Sequence, residues 1–235
     1  MLKFKSIKAL IFDMDGLMAD TEYYHNLSIM KVAEEYGVKL KKSYLFKLVG
    51  FSTRDNFLLL EKDFGIKVDM ARVLKYREKV YMNIIKSSGI KAFPGFKELL
   101  NLAKSSGIRI AVGSSSDRPQ VLTVLKILTR SVGLKKPPRK IFDVIVTGSD
   151  VKRVKPAPDI FLKAAEKLGC APAKCLVLED SVAGVAAAKR AKMRCIAVKN
   201  RYSKKQDLRQ ADLTAGSLRG VTKLLKRVLK NEKDG

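Results

Sequence analysis

Short apolar runs alternate with amphipathic stretches along most of this 235-residue chain. The apolar runs are rich in Ile and Val and are continuous, a pattern typical of strands buried on both faces. They span residues 9–12, 108–112, 142–146, 175–178 and 195–198. Helical patterns lie between them, at residues 94–106, 157–168 and 181–191, the last opening on Ser181 as a candidate N-cap. This order predicts an α/β fold, a Rossmann-like parallel sheet with helices on both faces.

One long segment, residues 21–90, breaks this alternation because it contains no convincing strand pattern. It contains three helical stretches, each closed by a glycine: residues 22–36, 53–64 and 69–88. In the first stretch, Tyr23, Leu27, Met30 and Ala33 have the spacing of one apolar helix face. We therefore expect an α/β core domain of residues 1–20 and 91–235, with an all-helical cap domain, residues 21–90, inserted into it.

The charge of the chain is strongly positive, +25, from 48 Lys+Arg against 23 Asp+Glu. Such a balance favours an anionic partner. The basic residues are nevertheless spread along the whole chain and are not gathered in one arm or aromatic-rich platform. This distribution favours a solvated basic surface over dedicated nucleic-acid binding, so nucleic acid is not an expected partner.

The cysteines and the start of the chain exclude further classes of protein. Cys170, Cys175 and Cys195 fall in apolar patterns, which indicates packed, reduced thiols. A zinc site is not expected, because there is no CxxC pair and the single histidine, His25, is distant in sequence. The apolar run near the start ends at Asp13, too early for a signal peptide or a membrane span. We expect a cytoplasmic protein without a membrane partner.

Polar residues stand where several predicted strands end, at the edge where open parallel sheets bind ligands. They are Asp13 and Asp15 after the first strand, Ser114, Ser115 and Ser116 after the second, Lys155 after the third, and Glu179 and Asp180 after the fourth. Plainer interpretations are a helix cap for the serines, a helix-dipole preference for the second pair of acids, and a surface position for the lysine. Neither exposure nor capping explains two acids directly after a strand as apolar as the first.

Carboxylates gathered at one edge would repel each other by about 1 to 4 kcal/mol per pair, so the cluster needs a cation. The available ligands are oxygens, which favours a hard ion, Mg²⁺. Mg²⁺ beside a lysine and a hydroxyl is suited to binding a phosphate and spreading the charge of a transferring phosphoryl group. The sequence therefore predicts a phosphoryl-transfer site.

The stretches DMDGL, GSSS, VKPAPD and LEDS, in this order and with a helical insert after the first, resemble the four motifs of the haloacid dehalogenase (HAD) superfamily. More narrowly, the chain resembles the β-phosphoglucomutase-like and phosphatase-like members that carry a helical cap after the first motif. The similarity extends over nearly the whole chain, through FPGFKELL, IFDVIVTGSDV, PDIFLKAAEKLG and EDSVAGVAAAK.

The resemblance implies a role for each motif residue. Asp13 would be the nucleophile that forms an aspartyl-phosphate, and Asp15 the general acid and base. Asp13, the backbone carbonyl of Asp15 and Asp180 would bind Mg²⁺, with Glu179 supporting the coordination of the ion. Further residues would hold the phosphate: the hydroxyl of Ser114, with Ser115 beside it, the ammonium of Lys155, and backbone N–H groups turned by Gly16.

Within the cap, the resemblance implies contact between substrate and His25, Gly50, Thr53 and Arg54. The mutases of the family carry an arginine directly after the serine of a cap GxS stretch, whereas GFSTRD has Thr53 there and Arg54 one residue later. This departure disfavours a mutase. Dehalogenases of the family lack the second aspartate, which this chain keeps as Asp15, and no cap lysine can be singled out for a phosphonate-cleaving Schiff base.

The function expected from the sequence is a monomeric, Mg²⁺-dependent phosphatase of a small phosphorylated metabolite, most plausibly a sugar phosphate. The alternative is a β-phosphoglucomutase-type phosphosugar mutase. A further alternative is a basic nucleic-acid-binding protein on a HAD scaffold. The complete set of motif residues argues against this last alternative, since an idle site has no need of every part.

Overall fold

The computed structural model describes residues 6–48, 52–203 and 206–231, apart from the side chain of Phe46. Gly50, one of the expected substrate-binding residues, lies outside this part. The chain divides into two compact units. One is formed by residues 1–20 and 91–235, and we call it the α/β unit. The other is formed by residues 21–90, and we call it the helical unit.

The helices and strands follow each other in an order that repeats along the α/β unit. The strands are β1 Ala9–Phe12, β2 Arg109–Gly113, β3 Val144–Val146, β4 Cys175–Glu179, β5 Arg194–Val198 and β6 Leu213–Ala215. The α-helices are α1 Thr21–Glu35, α2 Leu45–Leu48, α3 Thr53–Phe64, α4 Met70–Ser88, α5 Phe96–Ser105, α6 Arg118–Ser131, α7 Asp159–Lys167, α8 Val182–Arg190 and α9 Leu218–Asn231.

All six strands form one sheet in the order β3-β2-β1-β4-β5-β6, and each neighbouring pair is parallel. The predicted Rossmann-like parallel sheet is therefore confirmed. The sequence did not predict β6, because this edge strand is short and its Leu213 and Thr214 are exposed, so it has no apolar run.

The central position of β1 determines where the polar residues gather. Its four residues are fully buried, and Phe12 at its end lies in register with Val112 of β2 and Leu178 of β4. The carboxyl ends of these three neighbouring strands therefore lie side by side at one edge of the sheet. Residues that follow β1, β2 and β4 in the chain emerge together there.

Helices cover both faces of this sheet, as the alternation predicts. On one face, α7 and α8 bury Phe161 and Val185 against strand residues such as Val177. On the other face, Phe96 of α5 packs edge to face against Phe12, with 6.5 Å between ring centroids. Helix α9 in turn packs on α5 through a buried stripe that includes Val221 and Leu225. The cysteines Cys170, Cys175 and Cys195 are buried free thiols.

The helical unit is built on the packing of α1 against α4. The apolar face expected on α1 was wrong in part, because Tyr23 is 50% exposed and Leu27 and Met30 are only partly buried. The stripe actually buried contains Ile29, Val32 and Ala33, with polar residues beside it. One of these, Ser28, is tolerated inside because its Oγ donates to the carbonyl of His25 at 2.6 Å. Within the residues described, no helix has the length and apolar character needed to cross a bilayer.

Candidate active site

The turn after β1 carries two carboxylates, Asp13 and Asp15. The backbone N–H of Asp13 donates to the carbonyl of Leu178 at 3.0 Å, so the sheet pairing continues one residue beyond the strand. Met14, between the two aspartates, is fully buried. Gly16 then adopts φ +77° and its N–H donates to the carbonyl of Ala19 at 3.0 Å, which closes the turn.

Lys155 joins two of the carboxylates. Its Nζ forms an ion pair with Asp13 and donates to Oε1 of Glu179 at 2.7 Å. The ammonium also lies 4.8 Å from the ring centroid of Phe161. Burial alone would lower the pKa of Lys155, but the two carboxylates outweigh it and raise the pKa above its ordinary value. Lys155 is therefore a buried cation, not one more surface lysine.

Glu179 is fully buried and is held by four hydrogen bonds. Besides the ammonium on Oε1, its Oε2 accepts from the backbone N–H of Asp180 at 2.8 Å, and from the N–H and Oγ of Ser181, both at 2.9 Å. The α8 residue Gly184 packs directly on this carboxylate, where a Cβ would overlap it. Glu179 therefore connects Lys155 to the start of α8. A preference of acids for the start of a helix does not by itself explain these contacts.

Three carboxylates lie close enough to share one ion. Asp13, Glu179 and Asp180 each offer an oxygen, and the three oxygens lie within 4.8 Å of one another. Burial raises the pKa of Asp13 to about 8, although Lys155 opposes this shift. Burial, Glu179 and Asp13 likewise raise the pKa of Asp180. One ammonium does not offset three buried carboxylates, so this all-oxygen donor set fits a hard divalent cation such as Mg²⁺.

The structure does not bring the side chain of Asp15 into this three-oxygen cluster. Its Oδ2 instead accepts from Ser116 Oγ at 3.2 Å and lies 3.5 Å from Ser114 Oγ. Gln120, a buried residue of α6, donates from Nε2 to Ser116 Oγ at 3.2 Å. The sequence did not indicate Gln120, which lies a helical turn beyond Ser116 on α6.

The three serines after β2 have different surroundings. Ser114 is buried, and its Oγ accepts from the N–H of Ser116 at 3.1 Å. Asp117, not a serine, is the N-cap residue of α6, so the capping interpretation of the serines does not hold. Ser115 is exposed. Ser114 and Ser116 are therefore the serines placed next to the carboxylate of Asp15.

Asn200, two residues after β5, is a further polar residue at this edge of the sheet. Its Nδ2 donates to Oδ2 of Asp180 at 2.6 Å and to the carbonyl of Gly16 at 2.8 Å. Asn200 is absent from the residues predicted above, because the strand-end rule was applied there only to the earlier strands. Applied to β5, the same rule would have found it.

Within the helical unit, His25 of α1 belongs to a buried cluster with α4. Its ring stacks on Tyr81 with 4.2 Å between centroids, and the buried guanidinium of Arg77 contacts its Nδ1. His25 is therefore tied into the core of the helical unit, as the packed interpretation of a lone histidine expects.

Thr53 and Arg54 occupy the first turn of α3, and Arg54 is exposed. Ser52 caps this helix by accepting from the N–H of Asp55 at 3.1 Å. In the next turn Asn56 is buried, and its Oδ1 has no hydrogen-bond partner among the residues that the structure describes. Nothing in the sequence indicates Asn56, because an asparagine inside a helical pattern carries no signal of its own.

The fold is a parallel α/β sheet with a buried cluster of carboxylates and a lysine at its strand ends, and comparison with known proteins specifies the class. Residues 10–198 match the haloacid dehalogenase-like hydrolase family. The chain belongs to this family, and the resemblance seen in the four motifs is confirmed. It is an enzyme, a hydrolase of the HAD type with phosphatases among its relatives.

Three relatives show how similar the chain is to other known proteins. It is 40% identical to YhcW of Bacillus subtilis over 198 residues, 84% of this chain and 86% of that protein. It is 33% identical to a phosphorylated carbohydrates phosphatase of Thermotoga maritima over 189 residues, 79% and 82% of the two chains. It is 32% identical to beta-phosphoglucomutase of Bacillus subtilis over 200 residues, 82% and 83% of the two chains.

A solved structure agrees with the fold. CbbY from Rhodobacter sphaeroides, crystallised in complex with phosphate, superposes with a TM-score of 0.77 at 27% identity. The superposition covers 90% of this chain and 95% of CbbY. The six-stranded parallel sheet with its helices is therefore the architecture of a HAD enzyme.

Proposed function

We propose that this protein is a Mg²⁺-dependent phosphatase that hydrolyses a small phosphorylated metabolite, a sugar phosphate, through an aspartyl-phosphate. The observation that carries the proposal is the buried junction at the end of β1, where Asp13 pairs with Lys155 and stands in one cluster with Glu179 and Asp180. The Thermotoga relative, named as a phosphatase of phosphorylated carbohydrates, supports the substrate class.

Asp13 is the proposed nucleophile. Its carboxylate oxygen attacks phosphorus, the bond from phosphorus to the ester oxygen breaks, and Asp15 gives its proton to the departing alcohol. In the second half, a water attacks the phosphorus of the aspartyl-phosphate and passes a proton to Asp15. Inorganic phosphate leaves, and both carboxyl groups return to their starting states. Asp15 accepts hydrogen bonds from Ser116 and Ser114, whereas Asp13 pairs with Lys155, and these different partners support separate roles for the two aspartates.

Lys155 and Ser114 are the proposed phosphate holders. The ammonium already lies against Asp13, so it is placed to offset the negative charge of a phosphoryl group arriving at that carboxylate. Ser114 offers a buried hydroxyl next to Asp15. Gly16 provides the turn that lets backbone N–H groups face the phosphate, with Ser115 as a further contact.

Asp13, Asp180 and the backbone carbonyl of Asp15 are the groups that would hold Mg²⁺, with Glu179 supporting them. The bound ion would screen the negative charge of the nucleophile and of the phosphoryl group. Without it, burial holds the pKa of Asp13 near 8, well above the ordinary value of a carboxyl group. A positive charge beside Asp13 favours the ionised form that attack requires.

The helical unit is the proposed cap that selects the substrate. His25, Gly50, Thr53 and Arg54 are the proposed contacts, and Gly50 lies outside the described residues. We add Asn56 to this set because its buried amide oxygen is a natural partner for a substrate hydroxyl.

The proposal is tested by phosphate release from a panel of phosphorylated sugars, nucleotides and polyols, with and without Mg²⁺. We expect release only with Mg²⁺ and highest kcat/KM on a sugar phosphate. Activity that survives in Asp13→Asn would contradict the assigned nucleophile.

A phosphosugar mutase is the second candidate, because the chain shares 32% identity with a beta-phosphoglucomutase and has a histidine twelve residues after Asp13. Thr53 at the place of the mutase arginine weighs against it. Conversion of β-glucose 1-phosphate to glucose 6-phosphate, stimulated by a sugar bisphosphate, would favour the mutase. Release of free phosphate alone would favour the phosphatase.

A further inference from the structure

The geometry points to Asn200 as a positioning residue for the metal site, and this inference rests on the proposed function. We propose that its side-chain amide sets the orientation of Asp180 and ties it to the turn at Gly16, directly after the two aspartates of the first motif. Asn200 lies 184 residues from Gly16 and 20 residues from Asp180 in sequence, so this junction exists only in the folded chain.

All four hydrogen bonds of the Asn200 side chain are consistent with one orientation of its amide. Nδ2 faces two acceptors, the carbonyl of Gly16 and Oδ2 of Asp180. Oδ1 faces two donors, the backbone N–H groups of Tyr202 at 2.7 Å and Ser203 at 2.9 Å. Exchanging the amide oxygen and nitrogen would oppose donors to donors and acceptors to acceptors, so the amino group must face Asp180.

The loop that carries Asn200 is itself held in place. The N–H of Asn200 donates to Oγ of the buried Ser203 at 2.9 Å. The next residue, Arg201, forms an ion pair with Asp20, the last residue of the first segment of the α/β unit. The loop after β5 is therefore attached to both ends of the segment from Gly16 to Asp20.

Packing at Gly16 gives independent evidence for this junction. A Cβ at position 16 would overlap Oδ2 of Asp180 and lie 3.0 Å from Nδ2 of Asn200. Gly16 thus leaves room for the contact between the amide and the carboxylate, besides providing its positive φ. The carboxylate of Asp180 therefore lies between a residue without a side chain, Gly16, and an amide donor, Asn200.

The consequence is an effect on metal affinity. Asp180 accepts from the side-chain amide of Asn200, and this amide fixes the rotation of its carboxylate. Outer contacts of this kind typically change metal affinity or activity by about 10–100-fold when they are removed. Asn200 should therefore act mainly on the binding of Mg²⁺, through Asp180.

The test is isothermal titration calorimetry with Mg²⁺ alone on wild type, Asn200→Ala and a control, Gln206→Ala. Gln206 is a nearby side-chain amide that accepts from the N–H of Val182 at 3.3 Å. We expect the dissociation constant for Mg²⁺ to rise about 10–100-fold in Asn200→Ala and to stay unchanged in the control. An unchanged dissociation constant in Asn200→Ala, even with a lowered melting temperature, would overturn the inference, because that is the result of a merely structural role.

If Asn200→Ala does not fold, Asn200→Asp replaces it, since Asp keeps an oxygen for the N–H groups of Tyr202 and Ser203. The new carboxylate at position 200 then faces the carboxylate of Asp180. Because the two negative charges repel each other, the melting temperature of the metal-free variant should fall below that of wild type. An equal melting temperature would overturn the inference. Wild-type protein that neither binds Mg²⁺ nor releases phosphate would instead overturn the proposed function. That outcome differs from the two variant results that would overturn the role of Asn200.

Discussion

Lys155 and Glu179 form a buried ion pair, with 2.7 Å between Nζ and Oε1. The lysine follows β3 and the glutamate ends β4, so the pair joins two parts of the sheet edge. Removing the ammonium would leave Asp13 and Glu179 without their shared cation. Glu179 accepts other hydrogen bonds, but only on its second oxygen.

Lys155→Met should therefore destabilise the metal-free protein. Loss of one partner of a buried ion pair costs up to about 3–5 kcal/mol. Urea unfolding without divalent ions measures the free energy of unfolding. The control is Lys167→Met, which removes an exposed lysine from α7 and should change little. Equal stabilities for the two variants would show that the buried pair does not form in solution.

Gly184→Ala should destabilise the protein, because the added methyl group meets the carboxylate of Glu179. Overpacking of this kind typically costs about 1–3 kcal/mol. Gly220 provides a matched control, since it is also a helical glycine but a Cβ there meets only Ser217 Oγ, at 3.8 Å. Gly220→Ala should stabilise α9 by about 0.5–1 kcal/mol. Thermal unfolding of both variants gives the comparison, and a stable Gly184→Ala protein would contradict the close packing on Glu179.

The lowered pKa of Asp150, a residue outside the candidate active site, leads us to expect that stability depends on pH. Burial opposes its ionisation, but hydrogen bonds from Thr147 and Arg118 outweigh burial and lower its pKa to about 2. A carboxyl group whose pKa is lower in the folded chain stabilises it above the unfolded pKa, about 4, and loses that contribution as the pH falls towards 2. Asp150→Asn should therefore be less stable than wild type at pH 7, and the difference should shrink below pH 4. A difference that is constant with pH, measured by urea unfolding, would contradict the assigned pKa.

The positive charge predicts a salt dependence of catalysis. The α/β unit carries most of it, with 35 Lys+Arg against 15 Asp+Glu in residues 1–20 and 91–235. A basic surface steers anionic substrates, so kcat/KM should fall as ionic strength rises while kcat changes less. Steady-state kinetics at several salt concentrations tests this. Salt-sensitive retention on DNA without phosphatase activity would instead favour the nucleic-acid alternative.

Local patterns were sufficient for most of the fold. The bounds of β1 and α3 are the ones the apolar run and the closing Gly65 predict, because these signals lie within the elements themselves. The short α2 was missed because four residues are too few for a helical period, and β6 was missed because its exposed residues form no apolar run. On α1, the hydrophobic spacing through Tyr23 competed with the true stripe through Ile29 and Val32, and only packing against α4 decides between them.

Some residues of the site could also be predicted from the sequence, and others could not. Asp13, Ser114, Lys155, Glu179 and Asp180 could be found because they directly follow strands or motifs that are continuous in sequence. Gln120 acts through a serine that lies outside its helix, and Gly184 matters only because a carboxylate packs on it. Such residues become visible only when tertiary contacts are known.

The central claim is that Asp13 carries the phosphoryl group during turnover. Rapid acid quench of the Mg²⁺-loaded enzyme with an aryl phosphate, followed by peptide mass spectrometry, tests this claim most directly. We predict a phosphoryl adduct on Asp13 that forms and decays within the turnover time and is absent in Asp13→Asn. Full turnover with no adduct on Asp13, or with the adduct on another residue, would contradict it.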